Sequence, residues 1–292
     1  MRRGRFAPSP TGRLHQGSLL TAVGSYLDAR AQGGQWLVRI EDVDLGRVVP
    51  GAADDILRAL EAHGLHWDGP VLAQSQRGDR YEHYLARLVA AGRAYPCSCS
   101  RADSAALTAR DGHYPGTCRA GPQQPSAPLA MRLRTDGYPL ICIEDRLQGS
   151  YCQSVEAMVG DFVLRRRDGY WSYQLAVVVD DAEQGITDVV RGRDLLDNTP
   201  RQALLQAILG LPMPTWLHLP LLLDDDGVKL SKSRQALPIE AAAAPATLSA
   251  VLQQLRHPPP AELVGAPVAE QLAWAVAAWQ PARLAEGRAL TR

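Results

Sequence analysis

The stretch "RGRFAPSPTGRLHQGSLLTAVGSYL", residues 3–27, decides the fold. Its opening "RGRFAP" has the composition of a short strand, and the "SPTG" that follows is rich in turn residues. After "HQGS" apolar residues recur at helical spacing, and Ser18 is placed to cap the predicted helix. The segment "WLVRIED", residues 36–42, predicts a buried strand that ends in carboxylates. A strand, loop, helix and strand within about forty residues indicate the beginning of a parallel α/β sheet.

The rest of the chain continues this pattern with one long interruption. Two helical segments, "AADDILRALEAHG" and "RYEHYLARLVAAG", each close on a glycine, and residues 95–128 read as a loop rich in Cys, Gly, Pro and Ser. We expect strands in 130–134, 168–181 and 186–192, a helix in 198–210 with Thr199 as N-cap, and helical patches in the tail. These elements predict a nucleotide-binding α/β domain whose halves are separated by an insertion.

Composition sets broad limits on the class of protein. The 292 residues, 46% apolar and 21% charged, suit a globular protein of one large or two smaller domains. Acidic and basic residues cancel at 31 each, so no bulk positive field points to nucleic acid, although a local basic stripe would suffice. We expect a cytoplasmic protein without a membrane span, because neither a signal peptide nor a stretch of about 20 apolar residues is present. In a reducing cytosol, the five cysteines favour metal binding or free thiols over disulfides.

The loop "PSPTGRLHQGS" predicts an anion site. Gly17 and Ser18 lead into the predicted helix, and a helix N-terminus preceded by glycine binds phosphate groups readily. His15 is close enough in sequence to donate to a phosphate oxygen. The alternative is an ordinary strand–helix loop with one surface histidine.

A second charged loop, "VKLSKS" (228–233), contains Lys229 and Lys232, the only lysines of the sequence. Two ammonium groups three residues apart can close over a triphosphate and neutralise charge on a leaving pyrophosphate. Lysine differs from arginine here because it is a compact point charge without a planar fork. A solvated surface turn is the alternative, but it does not explain why both lysines share one loop.

Together, "LHQGS" and "KLSKS" resemble the two signatures of class I aminoacyl-tRNA synthetases, which bind ATP on a Rossmann-like sheet and activate an amino acid as its adenylate. Residues 5–233, with "RIEDVD" (39–44), "YQLAVVVDD" (173–181) and "GITDVVRGRDLLDNTPRQ" (185–202), resemble the catalytic domain of glutamyl-tRNA synthetases. The resemblance implies catalytic roles for His15, Lys229 and Lys232. It also implies that ATP, with Mg²⁺, is bound by His15, Gly17, Ser18 and Lys232.

The same resemblance implies a pocket for L-glutamate, lined by Arg5, Phe6, Ala7, Pro8, Ser9, Glu41, Tyr173 and Arg191. A dicarboxylic amino acid needs cations for two carboxylates and an anion for one ammonium group. Arg5 and Arg191 can each form a bidentate fork with a carboxylate, and Glu41 can accept from the ammonium group. Arg191 is the better candidate for the side-chain carboxylate, which would exclude glutamine. Alternatively, each of these residues forms only a structural ion pair.

The cysteine-rich loop predicts a metal site. Cys97, Cys99 and Cys118 with a fourth ligand can form a tetrahedral zinc site, and three free thiols are the alternative. Ligand chemistry favours His113 as the fourth donor, because a phenol must lose a proton with a pKa near 10. The loop resembles that of the glutamyl-Q tRNA(Asp) synthetase family, however, and this resemblance implies Tyr114 and one structural Zn²⁺. We expect Cys142 and Cys152 to be buried thiols.

The tail after the "KLSKS" loop is short. Residues 234–292 are fewer than the ~70–80 that an independent core needs, so we expect them to dock on the catalytic domain. A full glutamyl-tRNA synthetase continues there into an anticodon-binding domain. We therefore expect four parts: the first half of a Rossmann-like domain (1–70), an inserted α+β subdomain of the acceptor-binding type (71–170) with the zinc loop (97–118), the second half (171–235), and a C-terminal helical region (236–292) without an anticodon-binding domain.

The whole chain resembles the glutamyl-Q tRNA(Asp) synthetase family. That resemblance implies a monomer that activates glutamate without tRNA and transfers it to queuosine at the wobble position of tRNA(Asp). The anticodon loop would then face the catalytic domain, where Arg165, Arg166 and Arg167 are candidate contacts unless they form a solvated charge run. The alternatives are a truncated glutamyl-tRNA synthetase that charges the 3′ end of tRNA(Glu), a catalytically dead paralogue that binds tRNA, and a nucleotidyltransferase for a small molecule.

Overall fold

The computed structural model describes residues 1–138, 140–220 and 239–286 as a mixed α/β fold. The strands are β1 (Arg3–Phe6), β2 (Gln35–Ile40), β3 (Leu72–Ala73), β4 (Ala94–Cys97), β5 (Ala130–Leu133), β6 (Ile141–Asp145), β7 (Gly149–Gln153), β8 (Val163–Arg165), β9 (Asp188–Gly192) and β10 (Thr215–Leu219). The helices are α1 (Gln16–Ala31), α2 (Ala52–Ala62), α3 (Gly78–Ala90), α4 (Arg101–Asp111), α5 (Val155–Met158), α6 (Tyr173–Glu183), α7 (Thr199–Leu209), α8 (Ala244–Gln254) and α9 (Val268–Ala278).

Parallel strands form the centre of the fold, as the sequence predicts. Strand β2 lies between β1 and β3, and β10 lies between β9 and β6, with all these pairs parallel. The two groups meet where the Thr187 amide donates to the Arg3 carbonyl oxygen over 3.0 Å. In the spatial order β3-β2-β1-β9-β10, the chain adds strands outward from β1 on one side and outward from β9 on the other. The topological switch point therefore lies between β1 and β9. In open α/β sheets, ligands bind at the carboxyl ends of the strands beside such a switch point.

Helix α1 begins one turn earlier than its expected cap. His15, rather than Ser18, is the N-cap, and its side chain accepts from the Ser18 amide. Helix α7 differs in the same way, because Thr199 lies inside the helix and Asn198 precedes it. The two helix starts differ in their caps, because the His15 side chain accepts from the first turn of α1 whereas the Asn198 side chain makes no capping hydrogen bond to α7.

The prediction of a strand in residues 168–181 is wrong, because residues 173–183 form helix α6. Its run of valines favours a strand locally, but Ser172 caps the helix by accepting from the Leu175 amide. Residues 174–181 are all buried, so the helix shows no polar stripe that could reveal its period. Tertiary burial overrides the local β preference here.

The inserted region contains an antiparallel sheet, in which β5 pairs with β4 and β8. The expected loop at 95–128 is partly regular: it includes most of β4 and the whole of α4, which begins with a capping box between Ser100 and Asp103. Beyond this sheet, β6 and β7 form a hairpin that joins the parallel sheet beside β10.

The expectation of two buried thiols at Cys142 and Cys152 is wrong. These residues lie opposite each other on β6 and β7, are exposed, and form a disulfide. Cysteine spacing cannot reveal such a pairing, because it depends on the register of a hairpin.

The C-terminal helices share the core of α1. Leu248, Leu252 and Leu272 are buried in the same apolar cluster as Leu20 and Val23. The indole of Trp279 also donates to Asp28 on α1 over 3.1 Å. None of the described helices has the length and apolar character needed to cross a bilayer.

Candidate active site and metal centre

A cleft of about 1070 Å³ lies over the carboxyl ends of β1, β2 and β9. It brings together all the residues predicted for glutamate and ATP that the structure describes: Arg5, Phe6, Ala7, Pro8, Ser9, His15, Gly17, Ser18, Glu41, Tyr173 and Arg191. Lys229 and Lys232 lie outside the described residues. The Glu41 amide donates to the Pro8 carbonyl oxygen over 2.9 Å, which holds the loops after β1 and β2 together.

The N-terminus of α1 opens on this cleft. The His15 Nδ1 accepts from the Ser18 amide at 3.2 Å, and the Ser18 hydroxyl is 3.0 Å from the other ring nitrogen. A Cβ at Gly17 would stand 3.4 Å from the His15 ring, at van der Waals contact, so the imidazole lies directly against the helix start. The first turn therefore presents amide groups and the positive end of a helix dipole to the cleft.

Arg191 on β9 is a buried cation with neutral partners. Its Nε donates to His218 Nε2 at 3.0 Å, and its two terminal nitrogens donate to the Gln202 side-chain oxygen and the Thr199 hydroxyl, both at 2.8 Å. The Tyr173 hydroxyl accepts at a longer 3.3 Å. Among the described residues, no carboxylate forms an ion pair with Arg191, and burial lowers its pKa. Such a group gains from an anion that enters the cleft.

Arg5 and Glu41 belong to a charge network beneath the cleft. Arg5 forks Asp181 with distances of 3.0 and 3.2 Å, and Arg39 contacts Asp181 at 2.8 Å and Glu41 at 3.2 Å. Burial raises the pKa of Glu41 and outweighs Arg39 and Arg5, whereas for Asp181 these two guanidinium groups outweigh burial and lower the pKa. The Nε and Nη2 atoms of Arg5 are therefore bonded to Asp181 within the protein. Glu41 lines the cleft as an acceptor and contacts one arginine, Arg39.

The three predicted cysteine ligands converge. The sulfur atoms of Cys97, Cys99 and Cys118 lie within 4.8 Å of one another and can hold a metal ion. The Tyr114 hydroxyl is 3.2 Å from the Cys97 sulfur and 3.4 Å from that of Cys99, whereas the His113 ring is not part of this group. Burial would raise the pKa of Cys118, but amides of Gln123 and Ser98 lower it to about 6.

Two residues that the sequence reading missed surround this cluster. Gly160 has φ +70°, and a Cβ there would stand 2.0 Å from the Tyr114 carbonyl oxygen, so only glycine allows this close approach. Arg132 donates to the Cys97 sulfur at 3.3 Å and lies 3.7 Å above the centre of the Tyr114 ring. Arg132 and Cys99 also line the cleft described above, so the cysteine cluster and the cleft share a wall.

The sequence profile described as "tRNA synthetases class I (E and Q), catalytic domain" matches residues 2–244. The chain belongs to this family.

Relatives extend the similarity to nearly the whole chain. A protein of Thiobacillus denitrificans named glutamyl-Q tRNA(Asp) synthetase is 54% identical over 279 residues, which cover 94% of this chain and 92% of that protein. One of the same name from Chromobacterium violaceum is 53% identical over 288 residues, 98% of this chain and 96% of the relative.

Solved structures agree with the fold. The glutamate-tRNA synthetase of Elizabethkingia anophelis superposes on the whole chain with a TM-score of 0.83 and 25% identity, and the chain spans 68% of that protein. A glutamate tRNA ligase of Elizabethkingia meningosepticum gives a TM-score of 0.82 at 24% identity, with 99% of this chain and 66% of that chain covered.

Within this class I synthetase fold, the candidate tRNA contacts are already paired. Arg165 contacts Glu82 at 3.0 Å and lies 4.9 Å from the centre of the Trp171 ring, and Arg166 contacts Asp44 at 3.0 Å. The Arg167 Nε donates to a backbone carbonyl oxygen. Arg166 and Arg167 nevertheless line the cleft, so they border any substrate that enters from this side.

Proposed function

We propose that this chain activates L-glutamate with ATP and Mg²⁺, without tRNA, and then transfers the glutamyl group to queuosine at the wobble position of tRNA(Asp). One observation carries the proposal: a buried arginine without a described carboxylate partner, Arg191, shares a cleft with Glu41 and the N-terminus of α1. That cleft offers a cation for a carboxylate, an anion for an ammonium group and amides for phosphate. The similarity to glutamyl-Q tRNA(Asp) synthetases over 94–98% of the chain supports the acceptor.

The glutamate side chain would meet Arg191, and its α-ammonium group would meet Glu41. A carboxylate that replaces the long contact to Tyr173 would give Arg191 the charge partner that it lacks within the described residues. Glutamine offers no charge to this site, so it binds less well. Arg5 is held rigidly by Asp181, which would orient its remaining N–H groups toward the α-carboxylate.

The chemistry needs no nucleophilic side chain. The α-carboxylate of glutamate attacks the α-phosphorus of ATP in line, and the bond to pyrophosphate breaks. Binding in one cleft supplies proximity, while His15, the Gly17 amide and the Ser18 hydroxyl stabilise phosphate charge. Lys229 and Lys232 would neutralise the leaving pyrophosphate, an assignment that rests on sequence.

We assign one structural Zn²⁺ to Cys97, Cys99, Cys118 and Tyr114. Around a tetrahedral zinc with bonds of about 2.3 Å to sulfur and 2.0 Å to oxygen, S···S separations are about 3.8 Å and S···O separations about 3.5 Å. The Cys99–Cys118 separation of 3.7 Å and the Tyr114 hydroxyl distances of 3.2 and 3.4 Å fit this set. The ion would cross-link β4 to the loop after α4 and supply no reactive group.

We further propose that residues 71–170 form the subdomain that receives the acceptor nucleoside. Their antiparallel sheet carries the cysteine loop, and Arg132 on β5 reaches the cleft. The helices of the tail pack on α1, so residues 239–286 would support the catalytic domain rather than reach for distant tRNA.

Transfer of radiolabelled glutamate tests the proposal. The enzyme is incubated with ATP and either queuosine-containing or unmodified tRNA(Asp), and ATP–pyrophosphate exchange is measured without tRNA. We expect exchange without tRNA and label only on the queuosine-containing tRNA. Equal labelling of both tRNA(Asp) samples would overturn the acceptor assignment. In a parallel incubation with tRNA(Glu), label on the 3′ end would favour the alternative, a truncated glutamyl-tRNA synthetase.

A further inference from the structure

A buried relay of three side chains lies behind the glutamate pocket. Asp145, at the end of β6, is 2.6 Å from the Nδ1 of His218 on β10. The Nε2 of His218 in turn accepts from the Nε of Arg191 over 3.0 Å. His218 is 0% exposed and Asp145 is 5% exposed, and neither lines the cleft.

The donors in this relay fix the state of the imidazole. The Arg191 Nε always carries a hydrogen, so His218 Nε2 must be the acceptor and Nδ1 must carry the proton. The Asp145 carboxylate accepts the hydrogen bond from Nδ1–H, and it also accepts from the amides of Leu147 and Gln148 at 3.0 and 2.8 Å. Asp145 therefore stays fully hydrogen-bonded and fixes a single tautomer of His218.

The geometry points to His218, held by Asp145, as a positioning residue that orients the Arg191 guanidinium for recognition of the substrate's side-chain carboxylate. This inference rests on the proposed function. The imidazole engages the Nε edge of the guanidinium, and Gln202 and Thr199 each engage one terminal nitrogen. Each of the three guanidinium nitrogens of Arg191 thus has a short contact, which fixes the plane of the guanidinium before substrate arrives. Substrate binding then requires little rearrangement of the Arg191 side chain.

A pair of variants separates the contact of the imidazole with Asp145 from its contacts at Nε2, which also lies 3.2 Å from the Thr199 hydroxyl. His218→Asn keeps a donor in the Nδ1 position for Asp145 but removes the acceptor for Arg191, whereas His218→Gln restores an acceptor near the Nε2 position. His257→Asn is the matched control, because His257 is also 0% exposed but lies in the C-terminal region, where its Nε2 accepts from the Gln280 amide.

ATP–pyrophosphate exchange is measured as a function of glutamate and of ATP. We expect His218→Asn to raise the KM for glutamate at least tenfold, with the KM for ATP within twofold and kcat within threefold of wild type. His218→Gln and His257→Asn should keep the KM for glutamate within threefold. A glutamate KM that stays within threefold in His218→Asn, or an equal rise in both KM values, would overturn the positioning role.

A measurement on the wild-type protein does not depend on whether the variants fold. ¹⁵N NMR of histidine-labelled enzyme reports the tautomer of His218, assigned by the loss of its signal in His218→Gln or, if that variant does not fold, by its coupling to the Arg191 Nε–H. We expect Nδ1–H, and an Nε2–H tautomer would overturn the relay. If wild type itself does not activate glutamate, the proposed function fails, whereas normal wild-type activation with an unaltered His218→Asn removes only this inference.

Discussion

Two buried arginines should respond in opposite ways to the same substitution. Arg191 has neutral acceptors among the described residues, whereas Arg39, which is 0% exposed, pairs with Asp181 at 2.8 Å and Glu41 at 3.2 Å. Replacement of each by glutamine removes a buried guanidinium charge from a strand of the parallel core. The difference lies in what each change leaves behind.

The magnitudes follow from those partners. Arg39→Gln leaves the buried Glu41 without its ion pair and Asp181 with Arg5 alone, and loss of one partner of a buried pair costs about 3–5 kcal/mol. Arg191→Gln removes a desolvated cation, which offsets the lost hydrogen bonds, so we expect its free energy of unfolding to change by about 1 kcal/mol or less. Loss of a charge-assisted fork to substrate costs about 3 kcal/mol or more, hence roughly 10²-fold or more in kcat/KM for glutamate.

Urea unfolding without ligand and glutamate-dependent ATP–pyrophosphate exchange measure both quantities. We expect Arg191→Gln to unfold near the wild-type midpoint with glutamate activation reduced at least 10²-fold. Arg39→Gln should unfold at a clearly lower urea concentration. A strongly destabilised Arg191→Gln with near-normal kcat/KM for glutamate would show that Arg191 is a structural residue, and the pocket assignment would be wrong.

Three further predictions concern other parts of the chain. Lys232→Ala should lower kcat of exchange by about 10²-fold or more, the effect of losing one transition-state donor, and a near-normal rate would refute its role. Gly160→Ala should displace Tyr114 and lower the zinc content measured by atomic emission, whereas Gly169→Ala, also at positive φ but with open space around it, should not; equal zinc in both variants would contradict the role of Gly160. Reduction of the Cys142–Cys152 disulfide by dithiothreitol should lower the free energy of unfolding by up to about 3 kcal/mol in wild type, because it frees the short loop that the bond closes in the unfolded chain. The same treatment should not change Cys142→Ser, and a loss of the same size in both proteins would exclude the disulfide as its cause.

The resemblance to glutamyl-tRNA synthetases names the candidate pocket residues, and their positions at strand ends agree with a site there. Arg5 lies in β1, Glu41 directly follows β2 and Arg191 lies near the end of β9, and parallel strands bring their carboxyl ends to one edge. Their supporting partners could not be named. Asp181 closes the segment 173–181 that resembles the family, but neither Asp181 nor His218 and Asp145 has a spacing that reveals its partner. Their pairing depends on which strands and helices become neighbours.

The errors have a common physical origin. Helix α6 contains a valine run that favours a strand, and only its position in the core makes a helix of it. Cys142 and Cys152 meet because the hairpin register places them opposite each other. Thr199 reads as a helix cap, yet its hydroxyl accepts from Arg191. In each case packing or pairing with another element outweighs a local preference.

The sequence by itself indicated the α/β class, a candidate anion site at the loop before α1 and the three cysteines of a candidate metal site, because these depend on residue types at short spacing. The charged residues proposed for the pocket lie far apart in the chain, and the family resemblance names them. Only the tertiary structure decided that no described carboxylate pairs with Arg191 and that His218 and Asp145 support the arginine from behind. Ligand chemistry favoured His113 and the resemblance implied Tyr114 beside the cysteines, and the structure brings the Tyr114 hydroxyl to the sulfur atoms. The reason is that burial and pairing of charge are properties of packing. The cost of a charge depends on the neighbours that the fold gives it, which chain order does not specify.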